Sequence, residues 1–353
     1  MSDLQPSIPS QESERTFTVW VDDPPVPTRK QYLIAWTLLL LTFFTTLVVG
    51  VRLHFNYTHG LAPFAITEAS IPRFPIHWII EDPRRLIGGL PFAIAVMGIL
   101  LAHELGHFLM CRRYGVDATP PYFIPAPTLI GTMGAFIKIR SAFPSRKSLF
   151  DIGIAGPIAG FVIAVPVSIL GLLWSYPVSS LPTADIQLGY PALFRGLHGL
   201  FIQLGLQPHQ SISHLVLHPL AIAGWTGMFA TSLNLLPGGQ LDGGHIVYAW
   251  SDRAHRVVSW ITILALIPLA FYKWVGWLMW GIVLFVTGTR HPSVYANDRL
   301  DAKRKLLVGF AVLMLVVSVV PAPVVNSGIF AMHDDFMQTV HDVKEIFTHL
   351  LKN

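Results

Sequence analysis

Leu101-Ala-His-Glu-Leu-Gly-His-Phe108 is the stretch that decides how this chain folds. It sets His-Glu-x-x-His inside a run, Leu86 to Met110, whose one charged residue is Glu104. An ionisable side chain at the centre of a membrane helix costs about 2.5–3.5 kcal/mol on insertion scales. A soluble protein can carry such a motif on a surface helix by accident, but a membrane span discourages the accident. The motif is therefore read as a metal site within the bilayer.

Composition supports that setting. Of 353 residues, 52% are hydrophobic and 12% charged, against roughly 25% charged in soluble domains. The expectation is an all-α polytopic membrane protein embedded in a lipid bilayer. The net charge of +4 comes from scattered basic residues, which argues against a nucleic-acid partner. The single cysteine, Cys111, excludes an internal disulfide framework and a cysteine-based zinc ribbon. Asp3, Glu12, Glu14, Asp22 and Asp23 interrupt the first thirty residues, unlike a basic export signal or an acid-poor transit peptide. A bacterial plasma membrane with a cytoplasmic N-terminus is expected on that ground.

About seven transmembrane helices follow from the apolar runs, near 33–51, 87–111, 149–174, 218–236, 257–272, 274–289 and 306–322. They divide the chain into a polar tail (1–31), a first span with an outer loop (32–85), a core (86–250), additional spans (251–325) and a C-terminal tail (326–353). Between spans two and three, Tyr122 to Ala126 and Ala135 to Ile139 read as strands joined through Pro127 and a Gly131-Thr-Met-Gly134 turn. This is a small β-hairpin associated with the membrane face. Gly156 and Gly160 form a Gly-x-x-x-Gly, a spacing that lets membrane helices approach closely. With the N-terminus inside, sixteen of the 24 Lys and Arg fall on inner segments and eight on outer ones, as the positive-inside rule asks. The outer segment holding Arg52, Arg73, Arg84 and Arg85 runs against that trend.

On a helix, His103 and His107 stand one turn apart on one face. Two imidazoles at that spacing can hold one zinc ion while Glu104 reaches a water beside it. A catalytic zinc needs a third protein ligand and an open fourth position. Asp242, in Asn234-Leu-Leu-Pro-Gly-Gly-Gln-Leu-Asp-Gly-Gly-His245, is the only acid between Asp185 and Asp252. Pro237 and the glycines around Asp242 would unwind the end of the fourth span. An ordinary turn aspartate is the competing explanation, but it leaves the shared depth with the histidines unaccounted for. His245 is better explained as an interfacial histidine than as a ligand, and the His214/His218 pair lies in the outer loop.

Four motifs together resemble the site-2 protease family of intramembrane zinc metalloproteases. They are His103-Glu-Leu-Gly-His107, Gly131-Thr-Met-Gly-Ala135, Phe150-Asp-Ile-Gly-Ile-Ala-Gly-Pro-Ile-Ala-Gly160 and Asn234-Leu-Leu-Pro with Leu241-Asp-Gly-Gly-His245. The resemblance implies a three-helix catalytic core made of spans two to four, and one Zn2+ per chain held by His103, His107 and Asp242. It also implies Glu104 as the catalytic base and a cytosolic end for the span carrying the histidines. Gly239 stands where many members have a second proline, as in the branch of photosynthetic organisms and various bacteria. The loop between spans three and four, about 175–217, is too short for the PDZ domain some members carry there.

The implied activity is that of an intramembrane zinc metalloendopeptidase acting on a membrane-anchored protein, in or near its transmembrane segment, in regulated intramembrane proteolysis. Asn234 would either steady the oxyanion or hydrogen-bond the substrate backbone. The hairpin residues Gly131, Gly134 and Phe136 would pair with an extended substrate, unless the hairpin only plugs the cytosolic face. A catalytically silent protease-like scaffold or assembly factor is the alternative, and the intact chemical positions argue against it. A metal transporter would need polar residues along several spans, and spans one, three, five and six offer almost none. The sequence sets no oligomeric state.

Overall fold

Helix α1, Arg29–Thr58, begins at a capping box in which Thr28 and Gln31 exchange side-chain and backbone hydrogen bonds. A short α2, Ile76–Glu81, and a 3-10 turn over Pro83–Arg85 lead into α3, Leu86–Arg113. Strands β1, Tyr122–Pro125, and β2, Thr132–Phe136, precede α4, Arg146–Leu173, which Ser145 caps. Next come β3 (Tyr176–Pro177), α5 (Ala192–Gln203), β4 (Leu215–Val216) and α6 (Pro219–Asn234). The remaining helices are α7, Asp242–Trp250, α8, Asp252–Tyr272, α9, Gly276–Thr287, and α10, Ala302–Ser318. This computed structural model describes residues 26–65, 75–178, 186–288, 294–296 and 298–333, so most of the expected N-terminal tail and the C-terminal tail from 334 lie outside it.

Among the described residues, four helices are long and apolar enough to cross a bilayer: Arg29–Thr58, Pro83–Arg113, Arg146–Leu173 and Asp252–Tyr272. The other three expected spans are shorter than the roughly 20 residues a crossing needs, with α6 at 16, α9 at 12 and α10 at 17 residues. Each shortening has a local cause. After Asn234 the chain meets Pro237, which has no backbone N–H, and Gly239, held at φ 58°. The apolar run is thereby broken into α6 and α7, with Asp242 opening the second piece. α9 stops at Gly288, at φ 91°, and α10 ends just ahead of Pro321.

The core is built by α3, α4 and α6, with α1 packed along α3 and α7 along α4. α8 and α9 pack together and join this core through α7, while α10 lies against α4 and α6. Phe92, Val96 and Ile99 from α3 meet Ala164 and Leu172 from α4 and Ile222 and Met228 from α6, all buried. Outward faces such as Leu40, Ile94, Leu264 and Val316 remain exposed and apolar, as a lipid-facing surface requires. Two of the outer arginines have structural partners. Arg52 is buried and donates to the Ala65 carbonyl at 2.7 Å, and Arg85 lies 3.9 Å over the Trp78 ring.

The hairpin is present, but its second strand starts earlier than expected. Tyr122 pairs with Phe136, Phe123 with Ala135 and Pro125 with Thr132. Thr132 and Gly134 are therefore strand, and the connection is 126–131. The Thr132 hydroxyl donates to the Ile124 carbonyl at 2.9 Å, tying the strands across a bulge. Gly131, at φ 80°, closes the connection. Its carbonyl accepts from the Thr45 hydroxyl of α1 at 2.6 Å. The outer loop also contains more than expected, since β3 and β4 pair across it and α5 lies between them.

Candidate metal centre

His103 and His107 lie on the buried face of α3 and point at α4 and at the start of α7. His103 Nε2 and His107 Nε2 are 3.1 Å apart, and each is 3.2 Å from Asp242 Oδ2. A tetrahedral zinc with ligands at about 2.0–2.1 Å would separate its donor atoms by about 3.3 Å. The three atoms therefore stand at the corners of a zinc-sized face, and the nitrogen-nitrogen-oxygen set suits that ion. Among the described residues this is the one group of three or more His, Cys, Asp or Glu that could hold a metal.

α4 supplies the seat for both rings. The Ile152 carbonyl accepts from His107 Nδ1 at 2.7 Å, which fixes the tautomer and turns Nε2 toward the other ligands. A Cβ on Gly156 would run into the His107 imidazole, and one on Gly160 would come within 3.2 Å of His103 Cβ. The Gly-x-x-x-Gly thus makes room for two imidazoles, a purpose the sequence did not separate from ordinary helix packing.

Asp242 is held by the break between α6 and α7 and by a polar stripe on α8. Buried His255 donates from Nε2 to the Gly239 carbonyl at 2.9 Å. The Gly239 amide donates to the Ser259 hydroxyl at 3.3 Å, and the Thr262 hydroxyl donates to the Pro237 carbonyl at 3.2 Å. From α9, the Thr287 carbonyl accepts from Gln240 Nε2 at 3.1 Å. The signal was available: His255, Ser259 and Thr262 share one helical face inside an apolar span.

Glu104 is buried beside the histidines, within reach of the Ile137 amide just past β2. It lines a cavity of about 110 Å³ together with His103, Met133, Gly134, Ala135, Asn234 and Trp280. Asn234 stands with its side-chain amide 3.1 Å from His103 Nε2. The structure thus brings His103, Glu104, His107, Asn234, Gly134 and Asp242 together. Gly131 is not with them, because it packs against the backbone at Thr45 and Thr46. Phe136 is exposed and stacks edge-on against Tyr122 at 5.9 Å. His245 packs against Gly153 and Phe143, and His218 caps α6.

Below the site a second network joins three helices. Arg304 of α10 donates from Nε to Asp151 Oδ1 at 2.8 Å and from NH2 to the other carboxylate oxygen, which also accepts from the Tyr114 hydroxyl. Burial and the adjacent Asp151 charge push the Tyr114 phenol up, so it keeps its proton. Asp151 directly precedes Ile152, the residue that steadies His107.

Comparison with known proteins agrees with this arrangement. The chain is 32% identical over 318 residues to the "Probable zinc metalloprotease EGY1, chloroplastic" of Arabidopsis thaliana, covering 85% of this chain and 55% of that protein. It is 30% identical over 316 residues to the protein of the same name from Oryza sativa subsp. japonica, covering 85% and 52%. The "Probable zinc metalloprotease EGY2, chloroplastic" of Arabidopsis thaliana is 28% identical over 249 residues, covering 69% and 44%. This chain spans about half the length of these curated relatives. Their names place them in chloroplasts, so they lend no support to a bacterial plasma membrane. The sequence also matches the description "Peptidase family M50" over residues 91–272, more than half of its length. That stretch holds both histidines, Glu104, Asn234 and Asp242, and the chain belongs to peptidase family M50.

Proposed function

We propose that this protein is a zinc metalloendopeptidase that hydrolyses a peptide bond in or near the membrane segment of a membrane-anchored protein, as in regulated intramembrane proteolysis. The observation that carries the proposal is the 3.1–3.2 Å triangle of His103, His107 and Asp242 with Glu104 beside it on a helix long enough to cross a bilayer. His103, His107 and Asp242 would hold the ion. When bound, zinc supplies Lewis acidity that acidifies water and polarises a carbonyl.

The chain's own residues do the rest. Glu104 accepts the proton of the attacking water and returns it to the departing amine. His107 keeps its orientation through the Ile152 carbonyl, so the ligand face does not have to reorganise during turnover. Asn234 lines the cavity, and its amide N–H would donate to the substrate carbonyl or its flanking backbone. The edge formed by Met133, Gly134 and Ala135 lines the same cavity. An extended substrate strand would lie there after its helix unwinds, with main-chain hydrogen bonds holding it.

The test is Glu104→Gln in liposomes carrying a panel of single-span substrates. Loss of cleavage with zinc retained is expected. Equal cleavage by both proteins would overturn the proposal.

A further inference from the structure

The cavity farthest in character from the metal centre lies where the N-termini of α4 and α10 meet the end of α7. Its volume is about 330 Å³, and Arg146, Trp250, Asp298, Arg299, Leu300 and Lys305 line it. Three of those six side chains are cationic and one is acidic. The acid is already engaged, since Asp298 Oδ1 accepts from the Arg146 backbone amide at 3.0 Å and Oδ2 pairs with Lys147 Nζ at 3.5 Å. Arg299 and Lys305 are exposed and make no ion pair among the described residues. Arg146 lies 5.6 Å over the Tyr248 ring, and its Nε is buried with no hydrogen-bond partner. A buried donor left unsatisfied calls for an acceptor that the described residues do not supply.

We infer that this pocket binds a phosphate group, with Arg146, Arg299 and Lys305 as its ligands. A guanidinium fork and an ammonium converging on one cavity match phosphate oxygens in number and charge. The surroundings favour the head group of an anionic phospholipid over a soluble phosphate. Trp250 is 52% exposed and Leu306, next to Lys305, is 77% exposed, so apolar surface suited to acyl chains borders the cations. Bound there, a lipid would join α4, which seats the histidines, to α10, which carries Arg304.

The test uses the full chain in detergent, probed by native mass spectrometry with phosphatidylglycerol, phosphatidylcholine or inorganic phosphate. A preference for phosphatidylglycerol over phosphatidylcholine is expected, falling about 25-fold in the double variant Arg299→Gln/Lys305→Gln. The charge-conserving Arg299→Lys/Lys305→Arg should keep most of it, which separates loss of charge from loss of fold. Retention of inorganic phosphate without lipid preference would assign the pocket to a soluble phosphate. No preference among the probes, or an unchanged preference in the Gln variant, overturns the inference.

Discussion

His107 Nδ1 donates to the backbone carbonyl of Ile152 across 2.7 Å. One helix thus dictates how a ligand on another presents its lone pair, and Gly156, one turn further along α4, leaves the space in which the ring stands. Gly156→Ala should tilt that ring. A fall of about 10–100-fold in zinc affinity is expected, with the helix content by circular dichroism unchanged. Wild-type affinity in this variant would mean that the ring has room the geometry denies it.

Asp242→Asn tests the third ligand. The amide keeps the volume of the carboxylate but removes its charge, so zinc content measured by atomic absorption should fall well below one ion per chain. Full stoichiometry in the purified variant would show that another group completes the set.

Chelation offers a test that needs no substrate. The three donors are closely spaced and anchored on two helices far apart in sequence, α3 and α7, so zinc should bind the folded protein far better than the unfolded one. At a thousandfold excess over the dissociation constant that linkage amounts to about 4 kcal/mol. EDTA should therefore lower the midpoint of thermal unfolding, and re-added zinc should restore it. An identical midpoint with and without metal would count against the site.

The α8 stripe makes a different demand. Ser259→Ala and Thr262→Val each remove one hydrogen bond to the 237–239 loop, at a cost of about 1 kcal/mol apiece. Because the loop positions Asp242, zinc affinity should drop in both, and Ser259→Thr should recover most of it. A loss of thermal stability with zinc affinity untouched would leave the stripe a packing role alone.

Arg304→Gln should cost on the order of 1–3 kcal/mol, as expected for lost hydrogen bonds between charged groups that are mostly covered. A double-mutant cycle with Asp151→Asn measures the pair, and strict additivity would show that the two residues do not act together.

Much of this site was legible in the chain because the bilayer makes polar residues informative. His103, Glu104 and His107 stood out by being ionisable where little else is, and Asp242 by being the one acid in a long interval. The unread parts have physical reasons. Hydropathy sees apolar runs and not the length of helix they form, so the segments of α6, α9 and α10 read as spans although each helix is shorter than a crossing needs. The second strand starts earlier than Gly131 and Gly134 suggest as a turn, because Gly131 ends the connection and Gly134 lies inside β2. The stripe His255, Ser259 and Thr262 is mild enough to pass for ordinary helix content. Its value emerges only once the loop it holds is seen.

The contact between Gly131 and Thr45 sets a boundary that the family match does not. The family match begins at residue 91, after α1 has ended. Yet the connection leading into β2 rests on α1, through the Thr45 hydroxyl and the close approach at Thr46. A fragment trimmed to the matched stretch would keep every ligand and lose the wall that steadies one side of the cavity. A fragment that keeps this support has to include the part of α1 around Thr45 and Thr46 as well as the matched stretch.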